Sequence, residues 1–180
     1  NITGNLFTPK TMKEGDKLPA IIVGHPMGAV KEQSANLYAT KMAEYGYAAL
    51  AIDLSFWGGS EGQPRNAVLP DLYAESFNAA VDYLGTRPFV DRNRIGAIGS
   101  GGSGSVARSA AKIDPRIKAG ATVSMYNMGN ANRHGLKNAL TLEQRKQIIA
   151  EAAEQRWKEY EGGATRYTSG TVHELNANST

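Results

Sequence analysis

Arg94-Ile95-Gly96-Ala97-Ile98-Gly99-Ser100-Gly101-Gly102-Ser103-Gly104-Ser105-Val106-Ala107-Arg108-Ser109-Ala110-Ala111 runs from β-branched and small apolar residues, through a cluster of glycines and serines, into an alanine-rich segment that continues to Ile113. The pattern predicts a strand, a tight turn and a helix. Two site chemistries use such a turn. In the first, small-x-nucleophile-x-small, strand and helix approach so closely that they demand small residues, and the strained turn lifts a nucleophile above the sheet. With Gly99 and Ser103 as the small residues the apex is Gly101, which has no side chain to attack with. In the second, Gly99-Ser100-Gly101-Gly102-Ser103-Gly104 fits G-x-G-x-x-G, and N–H groups at the helix start would meet a pyrophosphate. Against this, the next apolar strand, 119–126, ends at Asn127 without an acidic residue to hold a ribose. The turn also follows two earlier strand–helix units instead of opening the first. Glycines needed only for close packing explain the pattern equally well.

The composition sets the frame for these readings. A chain of 180 residues, 41% hydrophobic and 21% charged, is ordinary for one globular domain, and at this size folding buries about 70% of the unfolded surface. The formal charge is +3 and the isoelectric point about 9.1, yet lysines and arginines are scattered without interleaved aromatics. Nucleic-acid binding needs a clustered footprint, so it is not expected. Cysteine is absent, which removes disulfides, thiolate metal sites and a cysteine nucleophile. Three widely separated histidines show no metal-ligand spacing; no cofactor is expected. No apolar stretch approaches a membrane span and no signal-type leader is visible, so no membrane partner is expected, and the compartment stays open. A start at Asn1 instead of Met is what a processed or trimmed chain would give.

Around the central stretch, strands alternate with helices. A short strand is predicted over 2–8, a doubly buried one over 19–24 and another over 47–52, ending at Asp53. A helix over 31–45 carries Ala35, Tyr38, Met42 and Tyr45 at helical spacing. A second, over 71–84, presents Leu72, Tyr73, Phe77, Ala80, Val81 and Leu84 on one face. Residues 54–65 read as a glycine-rich loop. This alternation implies parallel pairing with helices on both faces. Beyond Tyr126 the chain turns polar to Asn138. There Thr141-Leu142-Glu143-Gln144 fits a capping box that opens a helix to about Tyr160, stopped by Gly162-Gly163. The expected organisation is a core over 1–126, a helical lid-like segment over 127–163 and a loop or disordered end over 164–180.

Four stretches together resemble the front of an α/β-hydrolase of the dienelactone-hydrolase-like group. They are Gly24-His25-Pro26-Met27-Gly28, Asp53-Leu54-Ser55-Phe56-Trp57-Gly58-Gly59-Ser60-Glu61-Gly62-Gln63-Pro64-Arg65, the central turn, and Lys112-Ile113-Asp114-Pro115-Arg116-Ile117-Lys118 leading into Thr122-Val123-Ser124-Met125-Tyr126. The resemblance implies an α/β fold with a mostly parallel sheet, lacking its C-terminal strands. It makes His25-Pro26-Met27-Gly28 an oxyanion loop, with main-chain N–H groups near Met27 and at Gly102 facing a developing oxyanion. It makes His25, Trp57 and Tyr126 neighbours of a substrate pocket, although for His25 a ring packed under the sheet edge is the favoured reading. Phe56, Trp57, Met125, Tyr126 and Met128 each choose between pocket lining and plain packing.

The chain departs from the group at two points. Relatives carry Ser or Cys where Gly101 stands; Ser100 and Ser103 flank it as minority substitutes whose simpler role is to hydrogen-bond the turn or the helix start. The group's acid and histidine follow the nucleophile, and the resemblance puts both beyond Thr180. His134 and His173 read as solvated loop histidines. Asp53, at a strand end where open α/β sheets bind ligands, could orient the oxyanion loop or meet substrate, but reads best as capping the turn two or three residues on.

The resemblance therefore implies an acyl-hydrolase scaffold for an ester, thioester, lactone or amide with glycine at the nucleophile position, and the chain as written is expected to be inactive without a nucleophile, acid and histidine. The alternative is a non-catalytic binding protein for a small acyl ligand, and the third reading is a nucleotide-binding turn. A half-sheet ending near residue 126 leaves an apolar edge, so it is expected to be covered by a second polypeptide supplying strands, by a homo-oligomer, or by residues beyond the stated length.

Overall fold

The structure, a computed structural model, describes residues 1–168. Residues up to Asn127 form one compact unit and those from Met128 a second. The first unit is built on a five-stranded sheet of order β1-β3-β2-β4-β5, with β1 at Gly4–Phe7, β2 at Leu18–Gly24, β3 at Ala48–Ile52, β4 at Val90–Ser100 and β5 at Ile117–Val123. All neighbours are parallel except β1, which runs antiparallel to β3, Gly4 opposite Ile52. The expected α/β class with a mostly parallel sheet is what the chain adopts.

Side-chain alternation along the strands divides the core in two. Ile22, Leu50, Ile52, Ile95 and Ala97 face α2 (Pro70–Gly85) and α3 (Gly102–Ile113), meeting Tyr73, Phe77, Val81, Leu84, Val106 and Ala110. Val23, Ala49, Ala51 and Ile98 face the other way, toward Ala35 and Ala39 of the segment that leads into and forms α1 (Asn36–Glu44). Three small alanines in β3, at 48, 49 and 51, let helices approach both faces closely. Pro70 opens α2 at a position whose N–H would have no helical acceptor.

Several sequence expectations are corrected in detail. Leu72 and Tyr45 lie exposed, off the buried faces assigned to them. The helix expected from residue 31 begins as a π-helical turn, Lys31–Ala35, interrupted at Gln33 (φ −88, ψ −124), before α1 proper. The last strand ends at Val123, because Ser124 turns out at φ 48.

In the second unit the polar stretch after Tyr126 holds a short helix, α4 (Met128–His134), followed by a 3-10 turn over Leu136–Asn138. The capping box forms as read: Thr141 Oγ1 accepts from the Gln144 N–H at 3.2 Å and Gln144 Oε1 from the Thr141 N–H at 2.9 Å, opening α5 (Leu142–Tyr160). Residues 164–168 carry no regular structure. The rest of the expected tail, with His173 and Glu174, lies outside the described residues.

Candidate functional site

The site is assembled at the carboxyl ends of β2, β3 and β4. After Ser100 the chain turns at Gly101 with φ 55 and ψ −119, and α3 starts at the next residue. Few L-residues tolerate that conformation; glycine holds it without strain. The turn is held by the Gly101 N–H, which donates to Val123 O at 2.9 Å. Helix and strand nearly touch: a Cβ on Gly99 would lie 2.2 Å from Ser103 O, and one on Gly104 would lie 2.8 Å from the Met125 side chain. Met125 thus packs on the start of α3.

The loop after β2, residues 25–30, covers this turn. A Cβ at Gly101 would meet Pro26 Cβ at 3.3 Å, and one at Gly102 would sit 3.1 Å from Met27 Cβ and 3.5 Å from Met27 N. Gly102 and Met27 are therefore neighbours across the turn. Neither main-chain N–H donates to another group among the described residues. Ser103, fully buried, donates its Oγ–H to the His25 carbonyl, so its bond crosses to the loop instead of closing its own turn. Ser100 ends β4, almost wholly buried.

His25 is fully enclosed. Burial pushes its imidazole pKa down, and the bond to Pro26 O and the charge of Asp53 only partly oppose this. The ring is accordingly neutral at pH 7, with Nδ1–H donating to Pro26 O at 2.8 Å and Nε2 accepting the Leu54 N–H at 3.1 Å. Both nitrogens are committed to main chain, so the ring ties two loops together.

Asp53, also fully buried, corrects the capping expectation. Its carboxylate reaches past the nearest residues: Oδ1 accepts the Lys31 N–H at 2.8 Å, and Oδ2 accepts Lys31 Nζ at 2.7 Å and the Gly59 N–H at 2.9 Å. Gly58 permits this closure, because a Cβ there would lie 2.2 Å from Oδ2. Burial pushes the Asp53 carboxyl up, but the bonds from Lys31 and Gly59 outweigh it and hold the pKa below the ordinary carboxylate value. Lys31 is buried as well and also meets Glu32 Oε1 at 2.7 Å; burial lowers its pKa, and the two carboxylates more than reverse that. Ser60 Oγ closes the cluster, donating to Asp53 O at 2.8 Å and accepting the Thr3 N–H at 2.9 Å.

Lys31 is the participant that sequence reasoning passed over. The only trace of it was a lone lysine opening a helix opposite a lone aspartate closing a strand.

Trp57 turns toward α2, its indole N–H donating to Tyr73 Oη, which donates onward to Ala67 O at 2.7 Å. Phe56 is buried at φ 73, whereas Tyr126 is exposed just past β5. His134 ends α4 in the second unit. Among the described residues no group of three or more His, Asp or Glu could hold a metal ion, and no helix is long and apolar enough to cross a membrane.

Comparison with known proteins agrees with this architecture. The chain is 46% identical over 166 residues to PA2218 of Pseudomonas aeruginosa, covering 92% of this chain and 44% of that one. The crystal structure of PA2218 superposes with a TM-score of 0.88 at 44% identity, over 97% of this chain and 55% of that one. YcjY of Escherichia coli is 40% identical over 138 residues (77% and 45% of the two chains), and Thiohydrolase aneE of Aspergillus aculeatus 35% over 100 (56% and 31%). The chain spans less than half the length of these relatives. The model for the Dienelactone hydrolase family matches residues 2–156. With an α/β-hydrolase-like sheet and a match over most of its length, the chain belongs to the dienelactone hydrolase family.

Proposed function

We propose that this chain is the front part of an acyl-hydrolase scaffold for esters, thioesters, lactones or amides. In this reading the turn at Gly101 is its nucleophile elbow, and the N–H groups of Met27 and Gly102 are its oxyanion donors. The observation that carries the reading is the Gly101 backbone, φ 55 and ψ −119, a conformation that lifts one residue between strand and helix. The adjacent Met27 and Gly102 amides support it. In the acyl route a nucleophile at the apex attacks the carbonyl, a histidine takes and returns the proton, and two preorganised N–H groups hold the oxyanion. Gly101 leaves the first step without an attacking atom. The acid and the histidine belong, on this reading, to the part of the longer relatives that this chain does not span, and residues 127–163 to a lid. The thiohydrolase among the relatives favours thioesters within the class.

Gly101 itself favours a second reading, a binding protein that keeps the loop and turn for a small acyl ligand without turnover. A nucleotide at the glycine turn is disfavoured, because the next apolar stretch runs into Asn127 without an acidic residue to hold a ribose. Completion of the sheet by further strands, from the part of the longer relatives not spanned here, from another polypeptide or from a second copy, is supported by β5, exposed from Lys118 to Thr122.

The chain contains no cysteine, so Gly101→Cys introduces a single thiol whose chemistry can be read by intact mass. Its thiolate attacks p-nitrophenyl butyrate, a thioester forms, and p-nitrophenolate leaves; with no histidine engaged, the adduct accumulates at one butyryl per chain. With Ser109→Cys on the exposed face of α3 as reference, and both rates divided by the iodoacetamide alkylation rate, the elbow thiol should acylate roughly a hundredfold faster. Equal normalised rates would overturn the reading.

A further inference from the structure

We infer that Asp53 and Lys31, together with the ring of His25, are positioning residues that fix the Met27 main-chain N–H opposite Gly102; this rests on the elbow reading above. Met27 lies in a loop between two posts, and both posts stand on successive residues at the exit of β3. Ahead of Met27, His25 Nε2 is bound by the Leu54 N–H at 3.1 Å, and the His25 carbonyl by Ser103 of α3. Behind it, the Lys31 N–H and Nζ are both bound by Asp53, at 2.8 and 2.7 Å. Between the posts the chain closes a tight turn, Ala29 N–H to Pro26 O at 3.1 Å, with Gly28 at φ 78. The span therefore has few ways to move without breaking one post.

The charges at the second post need a reason beyond stability. A buried ion pair gains little over a well-packed apolar pair, because desolvating both charges offsets their attraction. What it supplies is a direction. Asp53 can hold Lys31 N–H, Lys31 Nζ and the Gly59 N–H at once in one arrangement, which fixes loop 25–30 and the glycine loop to the same carboxylate. The His25 carbonyl bond carries that position to α3, whose first N–H is that of Gly102. A donor that must meet a developing oxyanion needs such fixing, since a shift of about 1 Å costs up to a hundredfold in rate.

The test uses two reactions of the same thiol. In the Gly101→Cys chain, acylation by p-nitrophenyl butyrate passes through an oxyanion, whereas alkylation by iodoacetamide forms a sulfur–carbon bond and expels iodide with no oxyanion. Adding Asp53→Asn, or in a separate chain Lys31→Met, should lower the acylation-to-alkylation ratio roughly tenfold to a hundredfold. A residue that merely holds the fold together would change both rates alike. A ratio unchanged in both variants, each verified folded by circular dichroism, overturns the inference. Failure of Gly101→Cys itself to show any acylation advantage counts against the elbow reading instead. The posts are then decided in the chain with Gly101 intact, where Asp53→Asn should speed hydrogen exchange at residues 25–31 by about tenfold relative to β3, and equal exchange rejects them.

Discussion

The two sides of the sheet meet water differently. At the exits of β2 and β3 a histidine, an aspartate and a lysine are buried together, each with its polar atoms hydrogen-bonded and at least one of those bonds reaching another segment. At β5 the strand from Lys118 to Thr122 is exposed, and an open, mainly apolar groove of about 610 Å³ runs across β4 and β5, lined by Ile21, Met42, Ile98 and Ala121. Parallel strands are normally covered on both faces, because their hydrophobic run has no solvent side. One side of the molecule is thus internally satisfied, and the other leaves a parallel strand and an apolar groove open to water. Substitutions should therefore be costly on the first side and nearly free on the second.

The largest effect is expected at the ion pair. Lys31→Met leaves Asp53 buried with only its N–H donors and should cost about 3 kcal/mol in urea unfolding at pH 7. The pH dependence follows from the Asp53 pKa, which folding lowers. A lowered carboxyl pKa gives stability that is fully present above the unfolded value, about 4, and is lost as pH falls through the folded value. The gap between the two proteins should consequently be widest at neutral pH and narrow as pH drops below about 4. A gap independent of pH would show that packing around the lysine stem, and not its charge, is what the substitution removes.

A smaller effect is expected at the turn. Gly101→Cys or Gly101→Ser forces an L-residue to φ 55 and brings its Cβ to 3.3 Å from Pro26, so the protein should lose about 1–3 kcal/mol, read as a shifted urea midpoint. The loss bears on function as well as stability. A scaffold with a nucleophile at this point carries backbone strain that must be borne by the surrounding fold, and with Gly101 that strain is absent. An unchanged midpoint would mean that the turn relaxes on substitution, and the elbow geometry would then not be held by the sheet and α3.

Much of this was legible in the sequence because it is local. The strand–turn–helix around residue 101 and the Thr141 capping box state their conformations within a few residues and form as read, and the apolar runs form strands whose ends shift by a few residues. Asp53 was visible as a strand-end acid but not its partners: Gly59 lies across a loop and Lys31 across a strand crossover, and no periodicity links them. The same holds for His25, whose two bonds run to main chain, a class of partner that carries no side-chain signature. Leu72 and Tyr45 fall off the buried faces because spacing fixes a helical face only to within one residue's rotation, and neighbouring elements decide where that face ends.

The sharpest use of the comparison is a pair of glycine-to-alanine changes in adjacent strands. Gly99 in β4 and Gly120 in β5 are both strand glycines, and propensity alone would score them alike, each gaining slightly from a side chain. Their surroundings differ: a Cβ on Gly99 would meet the backbone of Ser103 at 2.2 Å, whereas the nearest atom to one on Gly120 is Ala97 O at 4.0 Å. Gly99→Ala must push α3 away from β4 and should cost at least about 1–3 kcal/mol, disturbing the Gly101 turn with it. Gly120→Ala should move stability by no more than about 0.5 kcal/mol. If another polypeptide covers β5 when bound, Gly120→Ala should remain silent in the free chain and weaken the complex, because a methyl group that meets nothing here would then meet the covering layer. Unfolding and association measured on the same pair of variants separate a finished surface from one that awaits a neighbour.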